Sequence, residues 1–223
     1  MVNVYVTDSV LYPLGWHCLV QLPSPSIRLH TDSVPDRPGE YFFGADYESR
    51  IITLTLTSGY LTSKPLARRD LMATFDPLLG EQDFTYEGIT YQVRYHQMME
   101  IQDHAHYLQA TVPLKMTDPF GYSEENSLTG SGTATNAGNY ETYPTIEIAG
   151  PITNPSVTVN GINLAYTGTV DAGDTLVIDC EDQTVYIGST NVIENFAGDF
   201  PSFQVGNNIV VGTAVFKWRD KYV

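Results

Sequence analysis

Basic residues are scarce in this chain. Eleven lysines and arginines stand against 26 aspartates and glutamates in 223 residues, a formal net charge of −15 and a pI near 4.4. Such a surface repels phosphate backbones, which excludes tight nucleic-acid binding. The same charge suits plain solubility, or a channel through which DNA passes without sticking. Cysteine is scarcer still, with only Cys18 and Cys180. Two thiols so far apart exclude a disulfide framework and read as inert and reduced. No run approaches the roughly 20 apolar residues of a membrane span. The start, Met1 to Val6, has neither a basic n-region nor a long apolar h-region. We therefore expect no secretion by the usual route and assembly in a cytoplasm. No G-x-S-x-G elbow, P-loop, G-x-G-x-x-G or H-E-x-x-H run occurs, which removes the common catalytic signatures.

What is present points to strands. Hydrophobic residues make up 42% and charged residues 17%, the apolar fraction of a folded protein. Fifteen tyrosines, with many Thr, Val and Ile, favour strands over helices. The length allows one large domain or two small ones. Asn3 to Val6 alternates, Gly15 to Leu22 is a second strand, and Pro23 and Pro25 interrupt it. A loop surrounds Pro35 to Gly39. Arg50–Thr57 is the clearest strand, with Ile52, Leu54 and Leu56 on one face and Thr53, Thr55 and Thr57 on the other. The spacing predicts one helix over Ser63 to Phe75. Ser63 serves as its cap and Pro65 suits its first turn. Leu71, Phe75 and Leu78 or Leu79 share its apolar face, although Asp76-Pro77 should end or bend it. Asp83–Tyr86, a Glu87-Gly88 turn and Ile89–Tyr95 read as a hairpin. His106 to Met116 follows as another strand.

Residues 123–142 are small and polar, and read as a linker or exposed loop. Beyond them the texture is uniformly β. Thr145–Ile148 alternates. Ser156–Val159 meets Ile162–Tyr166 across Asn160-Gly161, a strong hairpin signal. Asp174–Asp179, Thr184–Ile187 and a long last strand from Asn208 to Trp218 complete a pattern of short, regularly punctuated strands, as in a sandwich.

Several constellations invite a chemical reading. His104 and His106, at i and i+2 on a strand, would share a face as two metal ligands might, with Asp103 on the other side and no third ligand placed. Asp171, Asp174, Asp179, Glu181 and Asp182 form an acidic cluster without the ordered spacing of a calcium loop. Glu147, Asp179 and Glu194 could supply paired carboxylates for glycoside hydrolysis, but nothing fixes their separation. His17 beside Cys18 points to the opposite face of a strand and cannot activate that thiol. Trp16, Trp218 and Tyr41-Phe42-Phe43 are candidate sugar-stacking platforms, with core or interface filling the commoner fate. We assign no catalytic, cofactor-binding or metal residue and expect no enzyme.

The second half, from Tyr143-Pro-Thr-Ile-Glu-Ile-Ala-Gly150 onward, resembles the C-terminal domain of siphophage distal tail proteins. The residues that carry this are Gly173-Asp-Thr-Leu-Val-Ile-Asp179, Asn195-Phe-Ala-Gly-Asp-Phe-Pro201, Gly206-Asn-Asn208 and Trp218-Arg-Asp-Lys-Tyr222. The first half adds Gly15-Trp16, the Pro38-Gly39 loop, Arg50–Thr57 with its helix, and Asp118-Pro-Phe120 at the junction. No single piece is specific; their order and spacing together are. The resemblance implies an all-β protein of two domains. Residues 1–122 would be a ring-forming β-domain with one helix, 123–142 a linker, and 143–223 a galectin-like β-sandwich outside the ring. It implies a homohexamer at the tail tip of a phage or prophage virion, assembled in the bacterial cytoplasm. Its implied partners are the tail tube protein and the tail-tip protein, with the tape-measure and receptor-binding proteins as further candidates. DNA would pass through the lumen unbound, and no membrane or cofactor is involved. The chain has no room for an inserted carbohydrate-binding module. A galectin-like module recognising host glycan is the alternative reading.

Overall fold

The alternation in Arg50–Thr57 is realised in space. Ile52, Leu54 and Leu56 are fully buried, while Thr53, Thr55 and Thr57 are half-buried on the other face. A strand of this kind needs partners on both edges, and the rest of the first half supplies them. The computed structural model describes residues 4–33, 35 and 38–223. It divides into two compact units, 1–121 with 223, and 122–222. Asn3, Asp36 and Arg37, which fall within the strand and loop expected from the sequence, lie outside the described residues.

In the first unit the elements are β1 (Val4–Thr7), β2 (Val10–Tyr12), β3 (Trp16–Gln21), β4 (Ile27–Asp32), β5 (Tyr41–Tyr47), β6 (Arg50–Thr57), α1 (Lys64–Thr74), β7 (Gln82–Tyr86), β8 (Ile89–Tyr95), β9 (Glu100–Asp103) and the start of β10 (Leu108–Thr129). Seven of these strands join in the order β10-β6-β3-β2-β1-β7-β8, and β8 returns to β10. The sheet is therefore closed on itself, a barrel, and closure removes free edges. The β7–β8 hairpin turns at Glu87-Gly88, where φ is 52° and 79°, the mirror-image turn that matches strand twist. Helix α1 docks by Leu71 and the following Phe75 on the core that also holds Leu11, Ile52, Leu54, Leu56 and Phe84.

The helix ends where Asp76-Pro77 forces it to. Ser63 occupies the cap position, but its side chain makes no capping bond. Pro77–Leu79 forms a separate short turn, capped by the Asp76 carboxylate, which accepts from the Leu78 N–H at 2.9 Å. Leu78 and Leu79 consequently point to solvent rather than continuing the apolar face. The strand expected from His106 begins at Leu108 instead.

The second unit holds the end of β10, then β11 (Gly132–Asn136), β12 (Thr145–Ala149), β13 (Ile152–Thr153), β14 (Ser156–Val159), β15 (Ile162–Tyr166), β16 (Thr169–Val170), β17 (Thr175–Asp179), β18 (Thr184–Ile187), β19 (Thr190–Asn191), β20 (Phe196–Ala197), β21 (Gly206–Val211) and β22 (Val215–Tyr222). One sheet runs β19-β18-β17-β12-β22-β10, a second runs β11-β21-β14-β15-β20, and β13 pairs β16. Ile146, Ile148, Leu176, Ile178 and Phe216 from the first sheet share a core with Val157, Val159, Leu164, Tyr166 and Val210 from the second. That is a β-sandwich. The protein is thus all-β in two domains, with one α-helix among the described residues.

Two expectations fail here, each for a stated reason. The small polar run at 123–142 is largely strand, with Ala134 and Asn136 fully buried. Composition read these residues as flexible, yet small residues also let backbones approach closely. A Cβ on Gly138 would sit 2.2 Å from the Lys221 carbonyl oxygen. The buried Asn136 amide donates to the Tyr140 carbonyl at 2.8 Å and accepts from the Gly138 N–H at 2.9 Å, doing the work of a turn. The long last strand is in fact two, β21 and β22, one in each sheet. Gly212 separates them at φ 140°, pressed against Val157.

Candidate assembly surface

The residues singled out for chemistry do not converge. His104 and His106 lie in the turn between β9 and β10, not on a strand, so the shared face predicted from the i, i+2 spacing is absent. The His104 ring stacks on Tyr107 with centroids 4.2 Å apart, and His106 stacks on Tyr60 at 5.1 Å. Asp103 is engaged by Lys64 and Arg68 of α1. Partial burial raises its carboxyl pKa, but these two cations outweigh that and hold it below the usual carboxylate value. Among the described residues no group of three or more His, Cys, Asp or Glu is placed to hold a metal.

The acidic cluster builds turns and ion pairs. The Asp179 carboxylate accepts from the N–H groups of Glu181 and Asp182 at 2.9 and 3.0 Å. Glu181 lies 3.7 Å from the Lys221 ammonium. Glu147 is paired across strands with Lys217 at 2.6 Å, and Glu194 sits in the short turn Ile193–Asn195. Asp179 and Glu147 thus engage different partners.

Cys18 and Cys180 are buried, free, and far from ionising. Burial pushes both thiols up to about 12, with the Asp179 charge adding to the effect at Cys180. His17 is exposed on the opposite face of β3 from Cys18. Trp16 and Trp218 are core residues at 6% and 8% exposure. Trp218 packs edge-on against Phe203 and donates its indole N–H to Asp220 at 3.2 Å. Neither indole offers a face for a sugar.

What remains is the third aromatic group, Tyr41-Phe42-Phe43, and it belongs to an element that sequence reading missed. Strands β4 and β5 form a two-stranded sheet of their own. All six residues of β4 are exposed, as are six of the seven in β5. Register explains the ribbon's two faces. Ile27 lies opposite Tyr47, Leu29 opposite Ala45 and Thr31 opposite Phe42, which gives one apolar face. Arg28, opposite Asp46, and His30 lie on the other. There Arg28 reaches Glu48 at 3.3 Å and His30 reaches Asp46 at 2.7 Å. Phe43 is the extra residue of a bulge between these halves, beside Gly44 at φ 152°. Tyr47 meets Phe120 edge-on at 5.9 Å, tying the base of the ribbon down.

The apolar face is uncovered by the described residues: Ile27 is 56% exposed, Leu29 61%, Phe42 66% and Phe43 72%. A lone two-stranded ribbon is marginal in water, and period-2 patterning with a clean apolar face specifies burial. The signal was present as the alternation in Ile27 to Asp32, but two prolines before it and a loop after it hid the pairing.

The comparisons agree with this architecture. The family described as siphovirus-type tail component, C-terminal domain, matches residues 137–222. The second unit is therefore similar, over those residues, to a siphovirus-type tail component domain. The resemblance to the distal tail family read from the sequence therefore holds, on the part of the chain where its motifs were densest. Among solved structures, the SPP1 Dit protein (gp 19.1), described as a paradigm of hub adsorption apparatus in phages infecting Gram-positive hosts, superposes with a TM-score of 0.71 at 14% identity, covering 92% of each chain. That similarity extends the distal tail fold to the first unit. The phage P2 baseplate in its activated conformation with Ca matches at a TM-score of 0.44 and 10% identity, covering 92% of each chain. No curated protein matches the chain. No helix among the described residues is long and apolar enough to cross a membrane.

Proposed function

We propose that this chain is a structural hub subunit of a phage or prophage tail tip, six copies of which close into a ring joining the tail tube to the tail-tip or baseplate apparatus. The uncovered apolar face of the β4–β5 ribbon carries the proposal. It is an element built for burial that the described residues of its own chain leave exposed. Contact between unlike surfaces of successive copies closes into a ring when the rotation permits. The tail-component match of the second unit and the distal tail fold of the first support the setting. We assign ring formation to residues 1–122. That ring joins the tail tube and tail-tip proteins, with the galectin-like sandwich, 143–223, outside it and the tape-measure and receptor-binding proteins as further partners. Part of the net charge of −15 facing the lumen would let DNA pass without sticking. A ring that retains DNA at low salt would overturn that part.

Light scattering tests the ring directly. The expected mass is six times 24.7 kDa, either alone or after co-production with the tail tube and tail-tip proteins. A chain that stays monomeric under both conditions would end the proposal. The glycan reading loses two of its candidate platforms, because Trp16 and Trp218 are core residues.

A further inference from the structure

A ring built head-to-tail needs two different surfaces on every copy, one that inserts and one that receives. The uncovered apolar face of the β4–β5 ribbon is the candidate for the inserting surface. Because the barrel strands β1, β2, β3, β6, β7 and β8 pair on both edges, they offer no strand edge for the ribbon to extend. The apolar side chains of the ribbon's face instead suit a surface that is concave and nearly uncharged, met face to face.

The first unit has such a surface, centred on Tyr60. This side chain is 76% exposed and lies flat on His106. On one side of it a groove of about 520 Å³ runs between the β2–β3 turn and α1, lined by Pro13, Leu14 and Leu66, with Asp70 its one carboxylate. On the other side Tyr107 and Gln109 line a hollow of about 390 Å³ that has no carboxylate. The larger cleft elsewhere on the unit, about 700 Å³, is lined by Asp8, Asp83 and Glu87 and is unsuited to an apolar face.

Resting on the ring reading, we propose that the Ile27, Leu29 and Phe42 face of one copy seats over Tyr60 and Leu66 of the next copy. The occupant is thus a second copy of this chain. The ribbon's other face needs no partner, since Arg28 and His30 are already matched by Glu48 and Asp46, and it stays in water. The exposed apolar side chains of the ribbon offer on the order of 500 Å². With an equal area on the receiving side, this reaches roughly 1,000 Å², the lower bound of a specific interface.

Mixing two variants tests the seat. One carries Leu29→Asp with Phe42→Asp, the other Tyr60→Asp with Leu66→Asp. All four positions are exposed, so each variant should keep its far-ultraviolet spectrum and thermal midpoint, which are measured first. Under conditions where the unaltered chain assembles, each variant alone should have the monomer mass. Mixed, they should give twice that mass and no more, since one intact ribbon meets one intact groove and the chain of contacts then stops. A groove variant that assembles like the unaltered chain, or a mixture that stays monomeric, overturns the seat while leaving the ring intact. An unaltered chain that never assembles overturns the ring and the seat together.

Discussion

The two units solve the same problem, covering the apolar faces of strands, to different degrees. In the second, the longer strands put one face into the shared core. Even β21, whose outer Ile209 and Val211 are exposed, buries Asn208 and Val210 on its inner side. In the first, the barrel is equally complete, but β4 and β5 bury nothing fully. The charges differ as well. The second unit has three basic residues against twelve acidic, and the first has eight against fourteen. In the proposed ring, the more acidic sandwich would hold copies apart by like charge, and the less charged barrel with its uncovered ribbon would be where they meet. On the proposed ring reading, the ribbon's sequence answers to a surface of the next copy and not to the core of its own monomer.

This contrast can be broken by removing pieces of each kind. The largest loss of stability should come from the cores. Phe84→Ala in the first unit and Phe216→Ala in the second each remove a fully buried ring and should cost about 3–5 kcal/mol, read by chemical denaturation. A loss below 1 kcal/mol at either would mean that the core is misidentified. Next come the close backbone approaches of the second unit. Gly150→Ala places a Cβ 2.0 Å from the Asp171 carbonyl oxygen and should cost about 1–3 kcal/mol by the same measurement, because backbone must shift.

The thiols give a smaller, pH-dependent effect. Each folded pKa, about 12, lies above its unfolded value near 9, so the folded state keeps its protons longer. Their contribution is fully present below pH 9 and is lost as pH rises from 9 towards 12. Cys18→Ala with Cys180→Ala should flatten that decline in the thermal midpoint, and the native thiols should resist a thiol reagent at pH 8 until denaturant is added. The smallest change in stability should come from the ribbon. Leu29→Asp with Phe42→Asp should leave folding within about 0.5 kcal/mol while abolishing assembly. Equal losses of stability and assembly would show that the ribbon belongs to the monomer's core after all.

Where one short-range signal sufficed, the sequence was read correctly. Arg50–Thr57 needed only alternation, Asn160-Gly161 only its turn chemistry at φ 50° and 86°, and α1 only helical spacing with Pro77 as its stop. Where two signals competed, composition misled. Gly, Ser, Thr and Ala at 123–142 have the make-up of a linker, yet they form strands because small side chains admit close neighbours. Asn208 to Trp218 is rich in strand-forming residues on both sides of Gly212, and only the fold shows that Gly212 moves the chain from one sheet to the other. The metal candidates His104 and His106 depended on a strand that begins two residues later.

By itself, the sequence determined the class of structure: strands, their inward faces, their hairpins, one helix, and the family that the second half resembles. These follow from local periodicity and turn chemistry, which act over a few residues. Tertiary structure decided which faces stay uncovered. Barrel closure, the burial of both tryptophans and the isolation of β4 and β5 depend on partners distant in the chain, and no local pattern distinguishes an apolar face that meets its own core from one left for another molecule.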